Sequence, residues 1–239
     1  FGRMGQPPSH PDLLDWLACE FRYSGGSMKH LHRLITSSAT YRQAASDHRI
    51  HARIDSDNRY LWRMNRRRLE AEELRDSMLS VSGTLDKTMG GPGFMLFTLE
   101  KTDHSPHYEY HKFDPADPAS HRRSIYRFIV RSQPDPFMTT LDCADSNQST
   151  PVREETLTSL QALGLLNNPF TLHMATKFAE RLEREAEDLE ARVALGHELV
   201  TGRRPTVMES ALLMEYARTH GLPNLCRVLF NLSEFVYLD

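Results

Sequence analysis

Residues 202–223 read GRRPTVMESALLMEYARTHGLP, and this stretch contains both the stop signals and the start signals of helices. Thr206 and Glu209 have the spacing of a capping box, in which each side chain bonds to the backbone of the other residue. Gly221 suits the end of that helix, and Pro223 suits the first turn of the next one. Gly202 suits the end of the preceding helix. The stretch therefore predicts consecutive helices joined by short turns.

The same helical spacing of apolar residues extends toward the N-terminus. It predicts helices at about 154–166, 169–186 and 188–201. A further helix is predicted over 123–131, where three apolar residues recur at helical spacing. They are Ile125, Phe128 and Ile129.

The N-terminal third shows similar patterns. Ser9 is predicted to cap a first helix and Ser27 a second one. The polar stretch 42–57 predicts a loop, and the pattern over 58–82 predicts one or two more helices. The apolar stripe of the first helix consists of Leu14, Leu17, Ala18 and Phe21.

Between these helical parts, the sequence changes its periodicity. The glycine-rich residues 90–93 predict a turn, and residues 94–99 have the composition of a strand. A second turn at His104-Ser105-Pro106 and the alternation over 108–111 complete a predicted hairpin over 94–112.

Together these patterns predict a mainly α fold, a single multi-helix domain with a small β-hairpin insertion. The domain covers 1–239. It is predicted to be helical over 1–83, to hold the hairpin and loop insertion over 84–120, and to be helical again over 121–239.

Charge and hydropathy argue against a nucleic-acid partner and against a membrane-spanning helix. The chain has 29 Lys and Arg against 32 Asp and Glu, which gives a net charge of −3. A dedicated nucleic-acid binder has a basic excess, so we expect no nucleic-acid partner. No run reaches the roughly 18 apolar residues of a membrane-spanning helix, so no span is predicted.

The three cysteines, Cys19, Cys143 and Cys226, are far apart in sequence, and their thiol or disulfide state is open. No Cys-x-x-Cys-His motif is present, so we expect no cofactor in this chain and no covalently bound haem. Cys19 and Cys226 lie in partly apolar helical stretches, which predicts buried thiols.

Four charged residues form the main candidate site. Helical spacing places Arg68, Glu72 and Arg75 on one face, with Asp76 beside them. Three interpretations are open: a buried network in which Glu72 bridges Arg68 and Arg75, an exposed salt-bridge face, or a site. If the residues form a site, two guanidinium groups would bind an anion while a carboxylate transfers protons.

A second candidate is a metal site formed by His107, Glu109 and His111. On a strand, residues at i, i+2 and i+4 point the same way, so two imidazoles and a carboxylate would converge on one ion. The alternative is an exposed polar face opposite Tyr108 and Tyr110, which prefer the packed side.

Asp142, Asp145 and Asn147 supply oxygens of the kind that calcium prefers. The stretch lacks the glycine and the distal glutamate of an EF-hand loop. A turn with Asx caps is the favoured interpretation.

Eight motifs, taken in order, resemble those of a known family. They are GQPPSHPDLLDWLA (5–18), SATYRQ (38–43), RLEAEELRD (68–76), RRSIY (122–126), LQAL (160–163), LNNPF (166–170), GRRPT (202–206) and NLSEFVY (231–237). They resemble the planctomycete-specific domain of unknown function that ends large exported proteins of Planctomycetes and Verrucomicrobia. That domain usually begins earlier, with an Asn-Arg-x-Trp helix, so the resemblance implies an N-terminally truncated copy.

Relatives of this kind commonly have a planctomycete-type cytochrome c module upstream. The resemblance therefore implies export to the periplasm or cell surface, with haem c only in such an upstream module. The expected partners are other modules of the same protein or a cell-surface polymer. We expect a non-enzymatic binding or assembly module. The alternative is an enzyme that acts on carbohydrate or another anionic polymer through Arg68, Glu72, Arg75 and Asp76.

Overall fold

The computed structural model describes residues 2–101, 103 and 105–238. It confirms the predicted mainly α fold with a small β-hairpin. The ends of the predicted domain and the predicted turn residue His104 lie outside the described residues. The chain divides after Arg67 into a smaller N-terminal unit and a larger unit, Arg68–Leu238. None of the described helices is long and apolar enough to cross a membrane.

The smaller unit contains three helices, α1 (Pro11–Tyr23), α2 (Met28–Thr36) and α3 (Arg49–Ile54). The cap of α2 is confirmed, because the Ser27 hydroxyl accepts a hydrogen bond from the His30 N–H at 3.2 Å. None of the residues in these three helices is buried. The predicted burial of Cys19 is therefore wrong, since this thiol on α1 is exposed.

Two further predictions in this part of the chain are wrong. The residue before α1 is His10 rather than Ser9, whose hydroxyl bonds to the His10 ring instead. The polar stretch 42–57 contains α3, whose first turn is capped by the His48 ring accepting from the His51 N–H. Polar composition alone did not reveal this ring cap.

Of the range 58–82, which was predicted to be helical, only the second half forms a helix. Helix α4 (Ala71–Val81) follows a two-residue strand, β1 (Arg67–Arg68). The preceding residues form a loop because the Asp55 carboxylate accepts from the N–H groups of Arg59 and Tyr60, at 2.8 and 2.7 Å. Such side-chain bonds to nearby backbone compete with helix formation.

The larger unit holds the remaining helices. They are α4 together with α5 (Pro136–Thr140), α6 (Ser159–Asn167), α7 (Pro169–Glu185), α8 (Leu189–Thr201), α9 (Val207–His220), α10 (Leu222–Leu229) and α11 (Ser233–Val236). The capping box of Thr206 and Glu209 at the start of α9 is confirmed, and Gly202 ends α8 in the left-handed conformation.

The core of the larger unit is built around α7. This helix packs against α4, α6, α8 and α10. The rings of Phe178 on α7 and Phe230 after α10 stack with centroids 5.8 Å apart. Cys226 on α10 is buried, as predicted.

The predicted hairpin is confirmed, with shorter strands than expected. Strand β2 (Thr98–Lys101) pairs antiparallel with β3 (Pro106–Glu109). Phe97 lies before β2, and its ring contacts Tyr108 and Tyr110 edge-on. Both tyrosines are half-buried. The other two-stranded sheet joins β1 to β4 (Tyr237–Leu238) near the C-terminus.

The predicted helix over 123–131 is wrong. Only one 3-10 turn, Ser124–Tyr126, forms there, and the backbone at Arg127 then bridges to Phe94. Ile125 and Phe128 are consequently exposed. This segment brings Arg127 alongside the residues described next.

Candidate functional site

The candidate site lies around Asp135 in the larger unit. Asp135 is 7% exposed and caps α5, because its Oδ1 accepts from the N–H groups of Phe137 and Met138 at 2.9 and 3.3 Å. Its Oδ2 lies 3.9 Å from Nη1 of Arg127. Burial raises the pKa of Asp135, and the charges of Arg127 and Arg75 act in the opposite direction.

A second buried cation, Arg75, approaches Asp135 from α4. Its guanidinium lies 5.0 Å from the ring centroids of both Phe94 and Phe170. It donates to the carbonyls of Ser120 and Arg122 and to the Ser124 hydroxyl. Burial lowers its pKa to about 10, so it stays charged at neutral pH. Arg75 therefore fixes the 120–124 loop to α4.

Two cavities meet at Asp135. The first, which we call the Arg75 cavity, has a volume of about 360 Å³. Its walls are mostly rings and prolines with a few polar groups: Arg75, Leu96, Tyr110, His111, Phe113, Pro115, Asp135, Pro136, Phe137, Asn168, Pro169 and Phe170. The second, the Arg127 cavity, has a volume of about 230 Å³ and contains Arg127, Asp135 and Cys143 in its lining.

A wider depression of about 570 Å³ shares Phe113 with the Arg75 cavity. Its arginine, Arg122, donates to the backbone carbonyls of Thr88, Gly90 and Pro92. These bonds hold the glycine-rich turn in place and leave Arg122 with a structural role. The Arg75 cavity, where buried charges meet apolar rings, is the better candidate.

Comparison with known protein families gives a match over most of this chain. The family model described as PSD1, Protein of unknown function (DUF1553), matches residues 1–217. The chain belongs to the PSD1 family. No curated protein and no solved structure matches it. The matched residues include Arg75, Arg127 and Asp135, so the PSD1 region contains the whole centre around Asp135.

Of the four charged residues singled out from the sequence, only Arg75 lines the Arg75 cavity of this PSD1 chain. Arg68 is buried elsewhere, where it donates to the carbonyls of Leu141 and Thr156 and to Asp142 Oδ2 at 2.8 Å. Asp142 also accepts from Thr156, which gives it a structural role in a turn.

The prediction that Glu72 bridges Arg68 and Arg75 is wrong. Glu72 instead accepts from Arg153 Nη1 at 2.8 Å and from the Cys143 thiol at 3.4 Å. Asp76 accepts from the Ser124 N–H at 2.7 Å. The reason is that Arg68 lies on β1 rather than on α4, so the four residues do not share a helix face.

In the metal candidate on the hairpin, the two histidines approach different oxygens of the Glu109 carboxylate. Glu109 Oε2 lies 3.2 Å from His111 Nδ1, whereas Glu109 Oε1 lies 3.9 Å from His107 Nδ1. His111 follows β3 in a 3-10 turn, so the strand alternation ends before it. A metal site there stays a prediction.

Within the described ranges, His197, Glu209 and Glu234 have ligand atoms that all lie within 4.8 Å of one another. Arg203 already occupies this cluster. Its guanidinium donates to Glu209 at 2.7 and 2.9 Å and to Glu234 at 2.9 and 3.0 Å. A protein cation thus already binds both carboxylates, and the cluster ties the start of α9 to α11.

Asp135 and Arg127 were not found from the sequence. A signal for Asp135 was present, because Asp before Pro marks the capped first turn of a helix. In Pro134-Asp135-Pro136, the aspartate directly precedes such a proline. The burial of both side chains depends on contacts distant in sequence, which no local pattern encodes.

Proposed function

We propose that this PSD1 chain is a non-enzymatic binding module that takes up a sugar unit of a neutral cell-surface polysaccharide in the Arg75 cavity. The lining of this cavity is the observation that supports the proposal. Phe113, Phe137 and Phe170 provide flat apolar rings, and Asp135 and Asn168 provide hydrogen-bonding groups. Rings of this kind pack on the C–H faces of a sugar, while a few polar groups fix its hydroxyls.

The charges of the cavity favour a neutral polymer. Arg75 is committed to backbone carbonyls and to the Ser124 hydroxyl. Asp135 keeps one oxygen, Oδ2, outside its cap bonds. A hydroxyl donor suits that oxygen, whereas an anionic group would be repelled by it.

The export to the periplasm or cell surface, and the place beside other modules of the same protein, belong to this proposal. The resemblance to the planctomycete-specific domain supports both. Any haem c would then belong to an upstream module, and the chain described here would supply the polymer contact.

An enzyme acting on carbohydrate is the second candidate, and the raised pKa of Asp135 in a cavity is the observation that favours it. Most glycoside hydrolases use two carboxyl groups that flank the scissile bond. Among the described residues lining the Arg75 cavity, Asp135 is the single carboxyl group. Binding therefore fits the cavity better than hydrolysis.

Affinity electrophoresis in native gels tests the proposal. Gels containing dextran, glucomannan or xyloglucan should retard the wild-type chain relative to a gel without polymer. Phe113→Ala removes a ring of the lining and should abolish the retardation. Phe128→Ala is the matched control, because Phe128 is half-exposed and does not line the cavity.

Unchanged mobility in every neutral gel, or equal retardation of Phe113→Ala, would contradict the proposal. Retardation by alginate alone would mean an anionic polymer. Release of reducing ends that Asp135→Asn abolishes would establish the enzyme instead. Asn is as good a helix cap as Asp, so this variant should keep α5 intact.

A further inference from the structure

Arg127 is a buried cation with most of its hydrogen-bonding capacity unused. Its side chain is 6% exposed. Within the described part of the chain it makes one side-chain hydrogen bond, from Nη2 to Cys143 Sγ at 3.3 Å. Its Nε is buried and has no partner. A guanidinium has five N–H donors, and leaving such donors unpaired in the interior is costly.

The carboxylate beside it is also only half used. Both cap bonds of Asp135 go to Oδ1. Oδ2 lies 3.9 Å from Arg127 Nη1, which is an ion pair but too long for a hydrogen bond. The two side chains thus present an unused set of donors and an unused acceptor close together.

Both groups line the Arg127 cavity, which is about 230 Å³ in volume. Its apolar wall includes Ile129, Val130 and Met138. Its exposed rim includes Ser146 and Asp145, so the cavity opens to solvent. The volume is on the scale of one amino acid.

The charges of the lining select the class of ligand. A simple anion would meet Arg127 but also the carboxylates of Asp135 and Asp145, and a simple cation would meet Arg127. A molecule with an anionic and a cationic group next to each other suits both sides. Cys143 adds no charge, since burial and the Glu72 carboxylate raise its pKa to about 11.

We propose that the Arg127 cavity binds a free α-amino acid with an apolar side chain. The carboxylate of the ligand accepts from the unused N–H groups of Arg127, and its ammonium group donates to Asp135 Oδ2. The ligand side chain packs against Val130 and Met138. Asp135 lines both cavities, whereas Arg127 does not line the Arg75 cavity, so variants of Arg127 distinguish this proposal from the proposed function.

Isothermal titration of the full chain with L-leucine, N-acetyl-L-leucine and L-leucinamide at pH 7 tests this proposal. N-acetylation removes the cationic group, and amidation removes the anionic one. L-leucine should bind, and each derivative should bind about tenfold more weakly or worse, because each loses a charge-assisted hydrogen bond. Absence of heat with L-leucine at millimolar concentrations would overturn the proposal.

Variants separate the two contacts. Arg127→Met should abolish L-leucine binding, and Arg127→Lys should restore part of it. Arg131→Met is the matched control, since Arg131 is exposed and outside the cavity lining. Asp135→Asn should lower the preference for L-leucine over N-acetyl-L-leucine.

If Arg127→Met does not fold, the three ligands on the wild type and Asp135→Asn still decide the matter. Equal affinity for L-leucine and both derivatives would mean that neither charge is recognised, and it would overturn the proposal. Binding that Arg127→Met leaves unchanged would overturn it as well. Polysaccharide retardation should be unaffected by Arg127→Met, which distinguishes this site from the Arg75 cavity.

Discussion

Helix α1 of the smaller unit and helix α7 of the larger unit are both amphipathic, yet they differ completely in burial. None of the residues of α1 is buried. Helix α7 buries seven: Phe170, Thr171, Met174, Ala175, Phe178, Ala179 and Leu182. A stripe at helical spacing determines that a helix forms, whereas its burial depends on how many neighbours cover that stripe. Within its unit α1 packs on α2, while α7 is surrounded by four helices.

The largest effect should come from removing a ring of the core. Phe178 is 0% exposed and stacks on Phe230, so Phe178→Ala should lower the free energy of unfolding by about 3–5 kcal/mol. Leu14 of α1 is 54% exposed, and Leu14→Ala should cost less than about 1 kcal/mol. Urea unfolding followed by circular dichroism measures both. A comparable loss in Leu14→Ala would show that α1 buries its stripe in solution.

The next effect concerns a buried polar side chain. Arg75→Met leaves the carbonyls of Ser120 and Arg122 without their donor, so the free energy of unfolding should fall by about 1–3 kcal/mol. Arg123→Met is the control, because Arg123 is exposed and its ion pair is weak: its Nε lies as far as 4.0 Å from Asp76 Oδ2. It should change stability by less than about 1 kcal/mol. Equal losses in the two variants would refute the structural role assigned to Arg75.

Local signals predicted those parts of the fold in which the decisive contacts are near in sequence. The Thr206–Glu209 capping box and the Ser27 cap depend on residues three positions apart, and the strands of the hairpin pair residues no more than 11 positions apart. The loop at Asp55 was missed because its carboxylate bonds the backbone in place of a helix. Capping by a histidine ring, as at His48, is not a common signal.

The candidate site was less predictable for the same reason. Arg68 binds Asp142, 74 positions away, and Glu72 binds Arg153, 81 positions away. Arg127 reaches Cys143 across 16 positions. Helical spacing groups residues that share a face, but it contains no information about which distant segment meets that face. Arg75 was therefore identified as a candidate, while its partners were not.

A smaller effect is expected at Glu72, where the pair with Arg153 is partly exposed. Burial raises the pKa of Glu72, but the hydrogen bond from its own backbone N–H and the Arg153 guanidinium outweigh burial and lower this pKa below its ordinary value. Because the pKa of Glu72 is lower in the folded state, its carboxylate stabilises the fold at pH values above the unfolded-state pKa. This stabilisation is lost as the pH falls through the folded-state pKa. Glu72→Gln should therefore cost less than about 1 kcal/mol at pH 7, and its deficit should vanish on acidification.

Urea midpoints of wild type and Glu72→Gln at pH 7 and pH 3 provide the measurement. A loss of about 3–5 kcal/mol at pH 7 would restore the discarded interpretation, in which Glu72 compensates two buried cations. A deficit that grows as pH falls would contradict the direction of the pKa shift.

The smallest effect on stability is expected for the exposed histidines of the hairpin. This short element again contains both exposed and packed residues. His107 and His111 are exposed and share the Glu109 carboxylate, so His107→Ala/His111→Ala should leave the melting temperature nearly unchanged. Tyr110→Ala should lower it clearly, because the Tyr110 ring packs on Phe97 and its hydroxyl donates to the Gln133 carbonyl at 2.7 Å. Thermal unfolding with and without added zinc sharpens the contrast. A zinc-dependent rise in melting temperature that the double variant abolishes would reverse the assignment and make the three hairpin side chains a metal site.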